Sequence, residues 1–228
     1  MKSNPNTINN TIYCEIAQVG KALANPIRLE LLHLLCQAPR TVETMAQLTG
    51  QSVATTSHHL RTLLAARLLT SEKHGLYVTY RPASDDIGSF WVRLLDLARN
   101  HLVDLQRLAK ASLAETDAYQ SVERVTLMAQ MRRDEVALID VRPVEEYEAG
   151  HIPAALSVPL ENLEEMLPSL PWNRQIIIFG RGPFCMLSLM AIKILRRHNR
   201  KAKCLTDDIL QWKAAGLPLK AGADELIA

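Results

Sequence analysis

With 228 residues, 48% of them hydrophobic and 22% charged, the chain is long enough for two ordinary domains, each with its own core. That composition excludes a disordered or fibrous protein, and no run reaches the roughly 18 apolar residues of a membrane span. The net charge of +2 becomes informative only when divided. Residues 1–115 carry twelve Lys or Arg against nine Asp or Glu, and the remainder fourteen against fifteen, so the positive excess lies in the first half. Four dispersed cysteines (Cys14, Cys36, Cys185, Cys204) form neither a Cys-x-x-Cys pair nor a zinc spacing. The start, Met1-Lys-Ser-Asn-Pro-Asn, lacks the apolar core of a signal peptide. A reduced, cytoplasmic setting with no membrane partner is expected.

The first half reads as helical and punctuated. Cys14 falls on a first helix. Asn25-Pro26 starts a second, with Asn25 as N-cap and Pro26 at the first helical position. Leu29, Leu31, Leu32, Leu34 and Leu35 make its apolar face, Cys36 lies at its end, and Pro39 closes it. Thr41–Leu48 is a short helix, Thr49-Gly50-Gln51 a tight turn, and Ser52 the cap of a helix from Val53 to Ala65. Two β runs between Leu69 and Tyr80 flank His74-Gly75, as in a hairpin. From Asp85 to Ala114 the helical period returns, with Phe90, Leu94, Leu97, His101, Leu105 and Leu108 on one side. A stripe that long outside a compact domain implies a second copy of the chain, hence a homodimer.

Short helix, glycine turn, capped helix and hairpin in that order predict a mainly α winged helix-turn-helix. Ser52-Val-Ala-Thr-Thr-Ser-His-His-Leu-Arg61 resembles the recognition helix of ArsR-type bacterial repressors, as do Ala24-Asn-Pro-Ile-Arg-Leu-Glu-Leu-Leu and the wing Lys73–Tyr80. The resemblance covers roughly residues 12–110 and implies double-stranded DNA, a near-palindromic operator, as partner. Ser52, Val53, Ala54, Ser57, His58 and Arg61 are the candidate contacts on that helix. Lys73 and Arg81 are candidate phosphate contacts, and Thr56, His59, Leu60 and Leu63 are expected to pack inward. The competing reading is a winged helix that meets a protein. The family's cysteine-bearing metal box falls on Thr41-Val-Glu-Thr-Met45, where no cysteine stands. Asp96, His101 and Asp104 do not match its alternative metal site, and His58 and His59 point apart on a helix. No metal and no cofactor are expected. Other members sense oxidants or persulfides with cysteines, so Cys14 and Cys36 are either a redox pair or two small core residues.

Beyond a polar junction at residues 115–121, strands and helices alternate. Val136–Ile139 and Ile176–Phe179 are continuous apolar runs, typical of strands buried on both faces. Helices are expected at 122–131, 160–167 and 186–197, which predicts an α/β domain with a parallel sheet over residues 116–228. The strand at 176–179 runs into Gly180-Arg181-Gly182-Pro183-Phe184-Cys185 and then a helix. Backbone amides and a helix N-terminus converge there, a geometry that suits an anion or a thiolate. The basic run Lys193, Arg196, Arg197, Arg200, Lys201, Lys203 reads as a solvated helix end, the alternative being an auxiliary phosphate or DNA contact.

The loop resembles that of rhodanese-type sulfurtransferase domains, which begins with the nucleophilic cysteine. Asp140-Val-Arg142, Glu145-Glu-Tyr147, Gly150-His-Ile-Pro-Ala154 and Trp212–Pro218 resemble other signatures of that family, over about residues 120–222. Gly180 stands where the nucleophile is expected, and Asp208 where a glycine is common. The resemblance implies a persulfide-carrying loop, supported by an Asp140–Arg142 ion pair at a strand end, with Tyr147 and His151 structural. Cys185 is expected to point toward the helix base, away from the cradle. A dimeric DNA-binding regulator follows, residues 1–115 reading DNA and 116–228 sensing a small sulfur species or oxyanion. It leans away from an enzyme; the alternative is a sulfurtransferase that uses Cys185 and is located by its winged helix.

Overall fold

The computed structural model describes residues 5–104, 107, 120–182 and 185–223, and divides into two compact units, Met1–Trp91 and Val92–Ala228. The domain boundary expected at 115/116 falls outside the described residues, as do Leu105, Leu108, Pro183 and Phe184.

The first unit opens with α1 (Pro5–Leu23) and α2 (Pro26–Gln37). The Asn25 side chain accepts the Arg28 amide at 3.1 Å, as an N-cap should. The Arg28 guanidinium reaches back to the carbonyls of Ala22 and, at 2.9 Å, Lys21, satisfying acceptors that the end of α1 leaves open. After β1 (Arg40–Thr41), α3 (Val42–Thr49) is capped by Thr41 and ends at Gly50, whose φ of 63° is the left-handed stop that glycine supplies. Ser52 caps α4 (Val53–Ala65), accepting the Thr55 amide at 3.1 Å. Strands β2 (Leu69–His74) and β3 (Tyr77–Pro82) form an antiparallel hairpin, with β1 on the far side of β3. Leu31, Leu32, Leu35, Met45, Leu60 and Leu63 are buried at the centre, burial worth about 1.5–3 kcal/mol for each large side chain. The next helix, α5, runs from Asp85 to His101. The period to Ala114 predicts a longer one; between Asp104 and Ala114 only Arg107 is described, and it is helical.

The second unit is an α/β layer structure. Its five described strands are β4 (Ser121–Val122), β5 (Val136–Asp140), β6 (Leu156–Ser157), β7 (Gln175–Phe179) and β8 (Ala202–Leu205). They lie in the order β4-β8-β7-β5-β6, all parallel. β5 is buried at every residue and β7 at four of five, which is why both read as unbroken apolar runs. The helices are α6 (Arg124–Arg132), α7 (Val144–Ala149), α8 (Leu163–Met166), α9 (Met186–Arg197) and α10 (Ile209–Ala214). The helix expected over 160–167 is only one α turn between two 3₁₀ turns, Leu160–Asn162 and Leu167–Ser169; Pro159 and Pro168 restrict the backbone on both sides. Tyr147 and His151 are buried, stacked at 3.8 Å, with Tyr147 donating to the Ala155 carbonyl. Arg200 departs from the solvated basic run: it is buried, donates to the Pro171 carbonyl and lies 4.0 Å over the Trp172 ring.

Candidate functional site

Two places carry the residues singled out by their chemistry. The first is α4 with its hairpin. Thr56, Leu60 and Leu63 are fully buried, and that anchoring turns Ser52, Val53, Ala54, His58 and Arg61 outward, because residues at i, i+4 and i+7 share a helix face. Ser57 is half-buried. Burial first, then the Arg28 guanidinium and His58, push the His59 ring below its ordinary value, and Arg61 is the exposed guanidinium on this helix. Lys73 and Arg81 are exposed on opposite strands of the hairpin. At its tip Gly75 takes a φ of 61°, and Leu76 and Tyr77 stand 96% and 63% exposed. The sequence reading passed over those two, although a bulky apolar pair beside a turn glycine is itself the signal.

The second is the loop from β7 to α9. β7 delivers Gly180 to the end of the sheet, buried, and Cys185 is the N-cap of α9 with no side-chain capping bond. A Cβ placed on Gly180 would lie 2.8 Å from Cys185 Sγ and 2.8 Å from Ser188 Oγ. The half-buried thiol therefore turns toward position 180, not toward the helix base as expected. Ser188 is buried, with no hydrogen-bond partner for its hydroxyl. The cradle of amides is also smaller than expected, since the Cys185 amide donates to the Gly182 carbonyl at 3.0 Å.

The charges around the loop are mostly spent. Arg181 is held in a two-pronged bond to the buried Glu146, at 2.6 Å from Nη2 and 2.9 Å from Nε. Burial works against the Arg181 charge, but the bonds and charge of Glu146 outweigh it and hold the guanidinium above its ordinary value. The Asp208 carboxylate faces Gly182, 3.3 Å from where a Cβ there would stand. Asp208 also caps α10, accepting the Leu210 and Gln211 amides, with the Gln211 side chain returning the bond. Asp140 and Arg142 form a wholly buried pair, 2.6 Å apart, with Arg142 also donating to the Gly150 carbonyl. Burial raises the Asp140 carboxyl and Arg142 offsets part of that rise.

Two family models match the chain: the arsR family of bacterial regulatory proteins at residues 25–71, and the rhodanese-like domain at residues 124–215. The HTH-type transcriptional regulator Rv0324 of Mycobacterium tuberculosis is 37% identical over 209 residues, 92% of each chain. The chain belongs to the ArsR family. Its ArsR half precedes a rhodanese-like half, so both resemblances hold. A sulfurtransferase of Allochromatium vinosum is 27% identical over 88 residues, 39% of this chain and 81% of that protein. A solved winged helix-turn-helix DNA-binding domain from Mycobacterium bovis, described as homodimeric, is 33% identical, covering 45% of this chain and 92% of its own, at a TM-score of 0.41.

The remaining cysteines of this ArsR-family chain lie on other elements. Cys14 is exposed on α1, so it is no core residue; Cys36 is half-buried on α2, and Cys204 is buried in β8. All are free thiols. Glu146 and Ser188 are the loop neighbours that sequence reading did not assemble, whereas Asp208 was expected to border it. Glu146 lies 35 residues from the loop arginine in the chain, and only the packing of α7 and α9 around β7 joins these two.

Proposed function

We propose that the chain is a homodimeric transcriptional regulator that reads duplex DNA through α4 and the hairpin, in the cytoplasm. The observation that carries this is the division of α4 into a buried edge, Thr56, Leu60 and Leu63, and an outward one with Val53, Ala54, His58 and Arg61. A helix presented in that way fits the major groove, while Lys73 and Arg81 on the hairpin suit the adjoining phosphates. Dimerisation draws support from apolar residues exposed on two helices: Ile12, Tyr13, Ile16 and Val19 on α1, and Phe90 and Leu97 on α5. A lone copy would leave both stripes in water. The rhodanese-like half is the input domain in this reading, its loop taking a small sulfur species. A free oxyanion suits the loop less well, because Arg181 is engaged by Glu146 and Asp208 borders the turn. A second reading, sulfur transfer by Cys185, draws on the inward turn of its thiol.

The test is binding of the full chain to duplex fragments flanking its own gene, against random duplex of equal length. A near-palindromic footprint with half-sites a whole number of helical turns apart is the expected result. Equal affinity for every duplex would remove the regulator reading, and thiosulfate turnover lost in Cys185→Ser would favour the enzyme.

A further inference from the structure

We propose that Cys185 is an oxidation site for small uncharged hydroperoxides, the Ser188 hydroxyl holding the oxygen that the sulfur gains. This goes beyond the DNA-reading function and does not depend on it. Three observations meet at position 180. The missing side chain of Gly180 leaves a point that Cys185 Sγ and Ser188 Oγ both approach to 2.8 Å, so thiol and hydroxyl converge at the end of β7. Ser188 is 2% exposed and its hydroxyl is buried and unpartnered, and a buried hydroxyl without a partner is an unmet hydrogen-bonding demand. Cys185 is half-buried at the start of the twelve-residue α9, with no capping bond of its own, and a cysteine reacts with a peroxide through its thiolate.

The charges select the reagent. Arg181, the cation in the loop, is bound on two nitrogens by Glu146, and Asp208 places a carboxylate against Gly182. A dianion such as thiosulfate meets that carboxylate while the Arg181 guanidinium is engaged by Glu146, whereas a neutral peroxide meets no such cost. The Cys185 thiolate attacks one oxygen of the hydroperoxide. An S–O bond forms and the O–O bond breaks. The leaving hydroxide or alkoxide departs with the electron pair and takes a proton from water. Sulfur is oxidised by two electrons, the peroxide is reduced by two, and the product is a sulfenic acid whose oxygen the Ser188 hydroxyl can bond.

The experiment treats the full-length protein with hydrogen peroxide, traps sulfenic acid with a 1,3-dione, and reads each cysteine peptide by mass spectrometry. Cys14, exposed on α1, is the internal standard for an ordinary thiol. Cys185 should label at least about tenfold faster than Cys14. Ser188→Ala should lower the Cys185 rate several-fold without changing that of Cys14. Gly180→Ala, whose Cβ would displace the sulfur, should bring Cys185 to the Cys14 rate; retained α/β circular dichroism shows that the fold is kept. Labelling of Cys185 no faster than Cys14 in the unsubstituted protein overturns the proposal. So does a one-sulfur adduct on Cys185 from thiosulfate with no adduct from peroxide, which would assign the loop to sulfur transfer instead.

Discussion

At position 180 a hydrogen atom stands where a rhodanese nucleophile carries its side chain, and the space is taken by Cys185 Sγ and Ser188 Oγ. Gly180→Cys therefore does not simply return a nucleophile to an empty cradle. Its Cβ would lie 3.5 Å from that of Cys185, at the short edge of the ~3.5–4.5 Å that disulfide partners span. The expected outcome in air is a disulfide within the loop and no thiosulfate turnover until it is reduced. Two freely alkylated loop thiols after oxidation would contradict this. Arg142 is the other residue on which the unit depends. Arg142→Leu leaves the Asp140 carboxylate buried alone, and loss of one partner from such a pair costs about 3–5 kcal/mol. Urea denaturation should show a destabilisation of that order, whereas a change under about 1 kcal/mol would mean that the site admits water.

On the scale of elements, α4 and α5 carry opposite kinds of exposed surface. The outward edge of α4 sets Val53 and Ala54 beside His58 and Arg61, its one exposed guanidinium. Arg61→Ala should cost ~1–3 kcal/mol if the side chain reads a base, and that loss should depend on sequence. If it touches phosphate alone, affinity should fall evenly across sequences and the salt slope should decrease by about one. On α5, Leu97 is 59% exposed on the face shared with Phe90. Leu97→Glu should give a chain of monomer mass by light scattering that no longer retards operator DNA. A dimer that survives the substitution would move the interface elsewhere. The stripe on α1 was less legible than that on α5. Ile12, Tyr13, Ile16 and Val19 repeat at helical spacing, but polar residues before them obscure where the helix starts.

Across the whole molecule, acidity should act mainly through the second unit. Burial, with a smaller push from Asp208, holds the Asp207 carboxyl above its ordinary value, although Arg124 pairs with it at 3.1 Å and offsets part of the rise. A raised carboxyl means that the folded state binds the proton more tightly than the unfolded one. Its contribution to stability is therefore greatest below the ordinary Asp range and declines as pH climbs through the raised value. Asp207→Asn should raise the melting temperature at neutral pH, with the difference vanishing below about pH 4. A substituted protein that melts lower than the parent at neutral pH would show that the Arg124 pair outweighs burial.

What the sequence determined by itself is local and periodic. Asn25, Thr41, Ser52 and Gly50 mark helix ends because capping involves atoms three or four residues apart. The unbroken apolar runs at β5 and β7 announce a covered parallel sheet, and the order of motifs announces both halves of the chain. Interrupted elements were less legible: the helix expected at 160–167 is a single α turn between two 3₁₀ turns, and its hydrophobic spacing conceals the change. Only the tertiary structure decided what the loop is. The direction of the Cys185 sulfur depends on the absence of one Cβ five residues earlier. The engagement of Arg181 depends on Glu146, 35 residues away, and the carboxylate beside Gly182 comes from the cap of α10. Contacts of that kind have no period and no fixed spacing, because they are set by where helices land on a sheet. The loop's letters therefore named its family, while its charge balance and the position of its thiol appeared only when the chain was folded.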